Sequence, residues 1–138
     1  MLDLKSVEQA KIAAKPHFLE EAHETAQDWT NLASYLSKNG YLFEPENRPP
    51  KQFSGGFGNL NYLIELDGKP AVLRRPPMGK IPPGANDMKR EHRILSKLCD
   101  AFPLAPRSLL YASNKNIIGN HFLIMEYRHG LTIGGEWP

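Results

Sequence analysis

Two arginines, Arg74 and Arg75, close the run KPAVLRR, and Glu91 sits in the run MKREHRIL further along the chain. A guanidinium can meet a carboxylate inside a fold, and it can also hold a phosphate bidentately. Ahead of them lies Ser54-Gly55-Gly56-Phe57-Gly58-Asn59. Glycines let backbone amides approach phosphate oxygens and adopt conformations closed to other residues. This is no Walker loop, since no Gly-Lys-Ser/Thr follows, and no dinucleotide fingerprint, since a strand follows where a helix should begin. Past the arginines, HFLIMEYRHG runs from an apolar stretch into Glu126-Tyr127-Arg128, where main chain beside a hydrophobic wall can hydrogen-bond a planar heterocycle. Each feature also has a plainer reading: a structural salt bridge, a flexible turn, and a strand entering a loop.

The elements that must position these residues follow from periodicity. Residues 1–39 read as helical, with apolar residues from Phe18 to Leu36 recurring at spacings of three and four, a division at Pro16 and a stop at Asn39-Gly40. The segment 41–50, with three prolines, reads as a linker. Tyr62, Ile64 and Leu66 alternate as in a strand, Asp67-Gly68 signals a hairpin, and 69–74 returns. A Pro/Gly loop leads to a helix over 88–98 capped by Asn86 or Asp87. Strands over 108–112 and 121–127 complete an α+β arrangement, a small antiparallel sheet with one main covering helix.

Within that frame, Met88, Glu91, Leu95 and Leu98 share one helical stripe. A carboxylate there needs a cation. Side chains alternate along a strand, so only one of the two arginines can face the helix. Arg74 shares a face with Val72, so the pattern predicts an Arg74–Glu91 pair with Arg75 pointing outward.

The bulk numbers exclude several classes. The 138 residues suit one domain. A net charge of +2 is too small to imply a polyanionic partner. The single cysteine, Cys99, rules out an internal disulfide and a thiolate zinc cluster, and it fits a reducing, cytoplasmic setting. The five histidines show no metal-ligand spacing, and Ser54 has no evident base. No signal peptide or membrane span is expected.

Taken in order, QFSGGFGNLNYLIEL, AVLRRPPMGKIPPGANDMKREHRIL and HFLIMEYRHG resemble the N-terminal lobe of aminoglycoside phosphotransferase-like small-molecule kinases, nearest the branch fused to some acyl-CoA dehydrogenases. The resemblance implies a protein-kinase-like lobe over 49–138, its sheet of about five strands, preceded by a helical extension and linker over 1–48. It makes Ser54, Gly55, Gly56, Phe57, Gly58 and Asn59 the loop over the phosphates of ATP. Arg74 stands where such kinases usually carry a lysine, Glu91 is its helix partner, and Glu126, Tyr127 and Arg128 form the hinge for adenine.

None of Asp3, Asp28, Asp67, Asp87 or Asp100 is followed five positions on by Asn, so the resemblance implies that the catalytic loop and the magnesium ligands belong to a lobe absent from this chain. The chain is then expected to be inactive alone. Part of Phe122–Tyr127, together with Leu131–Trp137, would be exposed, favouring self-association or binding of the missing lobe. The branch hints at a hydroxylated acyl thioester as acceptor. A non-catalytic interaction module is the main alternative. Nucleic-acid binding through the basic residues between Arg74 and Arg107 is the weakest reading.

Overall fold

The computed structural model describes residues 16–54, 58–79, 84 and 86–128. Five strands, β1 (Lys51–Gln52), β2 (Leu60–Leu66), β3 (Lys69–Arg75), β4 (Ser108–Ala112) and β5 (Phe122–Glu126), form one antiparallel sheet in the order β1-β2-β3-β5-β4. Two helices, α1 (Trp29–Lys38) and α2 (Met88–Ala101), pack on its opposite faces. The α+β class and the antiparallel sheet match the sequence reading. No helix among the described residues is long and apolar enough to cross a membrane.

The β2–β3 hairpin sets the register. Asp67 and Gly68 both take positive φ, 51° and 77°, as a primed two-residue turn requires. The pairing then runs without a slip from Leu66↔Lys69 to Leu60↔Arg75. Alternation sends Tyr62, Ile64, Leu66, Ala71, Leu73, Phe122 and Ile124 to one face, where they meet Leu32 and Leu36 of α1, together with Phe43, Ile117 and Ile118. Burying each large side chain of this set contributes about 1.5–3 kcal/mol. Leu123 and Met125 point the other way and pack with Met88 of α2, Val72, Leu95 and Tyr111.

α2 starts where the Asp87 carboxylate accepts a hydrogen bond from the Arg90 amide at 3.0 Å. It runs past Leu98 to Ala101, and Pro103 follows its C-cap, where a helix cannot continue. Leu98 is exposed rather than part of the buried stripe, which narrows to Met88 with Leu95 at its edge.

The helical reading of 16–28 is corrected. Only a 3₁₀ turn, Glu21–His23, is present there. Phe18 instead forms a bridge to Phe53 beside β1, and α1 begins only at Trp29, where Asp28 caps the Asn31 amide at 3.0 Å. Phe18 serves a sheet edge, a contact that a helix would forfeit, while Ala22 and Ala26 are exposed. The part of the helical reading over 1–15 lies outside the described residues. In β5, Phe122 to Met125 are buried between the two helices, so the accessible part of 122–127 is confined to Glu126 and Tyr127, which are partly buried. Leu131–Trp137 lie outside the described residues.

Candidate functional site

β3 ends with two arginines whose side chains leave opposite faces of the sheet. Arg74, on the α2 side, forms an ion pair and hydrogen bond through NH1 with Glu91 Oε1, and its Nε donates to Asn61 Oδ1 at 2.9 Å. Both side chains of the ion pair keep about a third of their surface in water, 31% and 30%. The pair is therefore worth little to folding, about 1 kcal/mol or less. It does hold a guanidinium in one place while leaving part of it accessible. The expected pairing of Arg74 with Glu91 is present.

Arg75 departs from expectation. It does not point into solvent but is 2% exposed. Its Nε donates to Pro76 O at 2.9 Å, and NH1 donates to Gln27 Oε1 at 2.8 Å and Ile118 O at 2.9 Å. The face away from α2 is covered by α1, the segment before it and the turn carrying Ile118, so outward from one helix means inward toward the other layer. Among the described residues its hydrogen-bond partners are neutral oxygens. Burial pulls its pKa below the ordinary value, and the neighbouring Tyr62 opposes this. Burial likewise raises the Tyr62 hydroxyl, against the Gln27 hydrogen bond and Arg75.

The glycine segment is tied down at both ends, and Gly55, Gly56 and Phe57 lie outside the described residues. At its start, the Ser54 amide and hydroxyl both donate to His17 O, at 2.9 and 3.1 Å. At its end, the Asn86 side-chain amide donates to Gly58 O at 2.9 Å and to Asn59 Oδ1 at 2.6 Å. Gly58 has φ +75°, a conformation that favours glycine. Asn86 immediately precedes the Asp87 cap, so the returning end of the segment is fixed to the start of the helix that carries Glu91.

At the end of β5, the Glu126 carboxylate accepts from the Arg107 amide at 3.0 Å and from Arg128 at 3.1 Å, and the Glu126 amide donates to Arg107 O. The Tyr127 ring lies 6.3 Å from that of Phe53, within 18° of parallel. It thereby links the end of β5 to the root of the glycine segment. The structure thus brings Arg74 and Glu91 together and joins Asn59 to the start of α2. Glu126 and Arg128 pair with each other rather than with Arg74.

Sequence reasoning did not single out Asn61 or Phe53, and it offered Asn86 only as an alternative helix cap, a role that Asp87 takes. A signal for Asn61 existed. A two-residue turn at Asp67-Gly68 places position 61 directly opposite position 74, on the same face. Nothing local marked Phe53 or the tethering contacts of Asn86, which depend on loop placement. Among the described residues no group of three or more His, Cys, Asp or Glu is placed to hold a metal.

This arrangement, a strand cation held by a helix carboxylate beside a tethered glycine turn, coincides with a family match. The family model described as "Phosphotransferase enzyme family" covers residues 50–137. The chain belongs to that family. Among curated relatives, acyl-CoA dehydrogenase family member 11 of Gallus gallus is 30% identical over 123 residues, 86% of this chain and 16% of that protein. Acyl-CoA dehydrogenase family member 10 of Mus musculus is 38% identical over 80 residues, 58% of this chain and 8% of that protein. The chain thus spans about a sixth or less of the length of these relatives. A provisionally assigned aminoglycoside phosphotransferase from Ralstonia eutropha JMP134 shares the fold, with a TM-score of 0.56 at 23% identity over 76% of this chain and 29% of its own.

Proposed function

We propose that residues 49–138 are the nucleotide-binding lobe of an ATP-dependent phosphotransferase acting on a hydroxyl of a small molecule, with 1–48 as an N-terminal extension. The observation that carries this reading is the Arg74–Glu91 pair, a cation about a third exposed and fixed by a helix carboxylate and by Asn61. A buried cation would serve stability alone, whereas this one keeps donors free for the α- and β-phosphates. Ser54 to Asn59 would cover the phosphates with backbone amides. The main chain of Glu126 to Arg128, beside the Tyr127 ring, would take adenine.

Magnesium, when bound with ATP, neutralises phosphate charge. Its ligands and the acceptor-orienting carboxylate are assigned to a second lobe outside residues 1–138. The exposed side chains Ile94, Leu98, Phe102 and Leu104, along and just after α2, are the apolar surface offered to that lobe or to a second copy. The names of the curated relatives favour an acyl thioester bearing a hydroxyl over an aminoglycoside as acceptor. The unpaired Cys99 agrees with a cytoplasmic setting.

The test is a titration of the 138-residue chain with Mg-ATP followed by amide NMR, carried to about 10 mM so that a Kd in the millimolar range, about −4 kcal/mol, is captured. Saturable shifts at Arg74, Glu91, Gly58 and Arg128, weakened more than tenfold by Arg74→Ala, are expected. No shift at these positions would overturn the reading.

A further inference from the structure

We propose that residues 17–27 form a strap that positions the root of the glycine segment, with Gln52 and Tyr62 as the positioning residues that hold it. The strap is attached in three places. At its start, Leu19 N donates to Gln52 O at 2.9 Å, His17 O receives both donors of Ser54, and the Phe18 and Phe53 rings lie 5.0 Å apart. In the middle, Thr25 N donates to Gln52 Oε1 at 2.7 Å and Thr25 O accepts from the Tyr62 hydroxyl at 2.7 Å. At its end, Gln27 Nε2 donates to the Tyr62 hydroxyl at 3.1 Å while its Oε1 accepts from Arg75.

These attachments are not distributed at random over the sheet. Gln52 lies two positions before Ser54, and Arg75 lies one position after Arg74. The strap therefore grips, from the α1 side, the strand entering the glycine segment and the strand end carrying the phosphate-binding cation. Gln52 is 6% exposed and Tyr62 is fully buried, so its two central anchors are shielded from water. Hydrogen bonds there hold the strap more firmly than exposed ones would. Without the strap, β1 is a two-residue edge strand paired only with β2. A strand that short cannot fix the direction in which Ser54 leaves it.

This inference rests on the nucleotide reading for its consequence, but the mechanical part does not. Three variants separate the two: Gln52→Met, which keeps the volume and removes the acceptor; Gln52→Glu, which restores an acceptor for Thr25 N; and Tyr62→Phe, which removes only the hydroxyl. Ile64→Val, a mild core change on the same sheet face, serves as the control for lost stability.

Two measurements are made on the 138-residue chain. Hydrogen exchange at the Leu19, Phe53 and Ser54 amides needs no nucleotide. It is expected to quicken at least tenfold in Gln52→Met and Tyr62→Phe, but not in Ile64→Val or Gln52→Glu. The Mg-ATP titration is expected to show Kd rising about five- to tenfold in the same two variants, with adenosine affinity unchanged, because the glycine root serves the phosphates and not the base. Unchanged exchange at these amides overturns the strap even where ATP binds. Faster exchange with unchanged ATP affinity overturns its positioning role. A wild-type chain that binds no ATP defeats the nucleotide reading instead, and the exchange pattern then decides the strap by itself.

Discussion

Arg74 and Arg75 are neighbours in β3, yet one guanidinium faces α2 and pairs with Glu91 while the other is buried on the α1 side against the Ile118 carbonyl and Gln27. Their substitution should therefore separate folding from ligand binding. Arg75→Ala removes three hydrogen bonds from a buried cation and leaves a cavity, at a cost of about 2–4 kcal/mol. Arg74→Ala removes an ion pair about a third exposed and should cost about 1 kcal/mol or less. Urea denaturation of the two variants measures the difference. Equal losses would show that Arg74 is as structural as Arg75.

The extent to which this was legible in the sequence follows the range of the forces involved. Period-two alternation and the Asp-Gly turn fixed β2 and β3, and with them the face on which Arg74 lies. The α2 stripe then brought Glu91 to it. What failed was the surroundings of the opposite face. Whether Arg75 meets water depends on what covers the sheet, and the covering residues, Gln27 and Ile118, lie 48 and 43 positions away. The same holds for 16–28, where Phe18, first of the residues at helical spacing, serves an edge bridge to Phe53. Asn61 was within reach, because counting back across the hairpin is local arithmetic. Asn86 was not, because its side chain meets Gly58 only through the loop that precedes α2.

Asn61 offers a prediction of its own. It gives Arg74 an acceptor at Nε, so that Glu91 and Asn61 fix the guanidinium at two of its nitrogens. Asn61→Ala should leave the ion pair but free the side chain to swing, weakening Mg-ATP binding about threefold to tenfold, or about 0.7–1.4 kcal/mol. Thermal unfolding should change little, since the site is partly exposed. The NMR titration measures it, and an affinity equal to wild type would mean that Glu91 alone suffices.

The apolar run on and after α2 predicts association. Ile94, Leu98, Phe102 and Leu104 are 53%, 41%, 53% and 75% exposed. Grouped large side chains of this kind mark a contact surface. Sedimentation velocity should show concentration-dependent self-association of the 138-residue chain, abolished in Ile94→Lys/Leu98→Lys. A chain that stays monomeric up to its solubility limit would rule out a second copy as the occupant of this surface.

His121 supplies a dependence on pH. Its Nδ1 lies 3.3 Å from the Tyr111 hydroxyl. Its pKa is lowered by burial first and then by Lys115 and Arg75, with Asp87 opposing. An imidazole in the unfolded chain titrates near 6.5, so between the lowered folded value and about 6.5 the unfolded state binds more protons. Stability must then rise with pH through that window, level off above it, and fall as acid is added. His121→Gln keeps a polar group against Tyr111 but cannot titrate. Urea denaturation at about pH 7.5 and about pH 5.5 should show the wild type losing more stability than the variant on acidification. Parallel losses would place the acid sensitivity elsewhere in the fold.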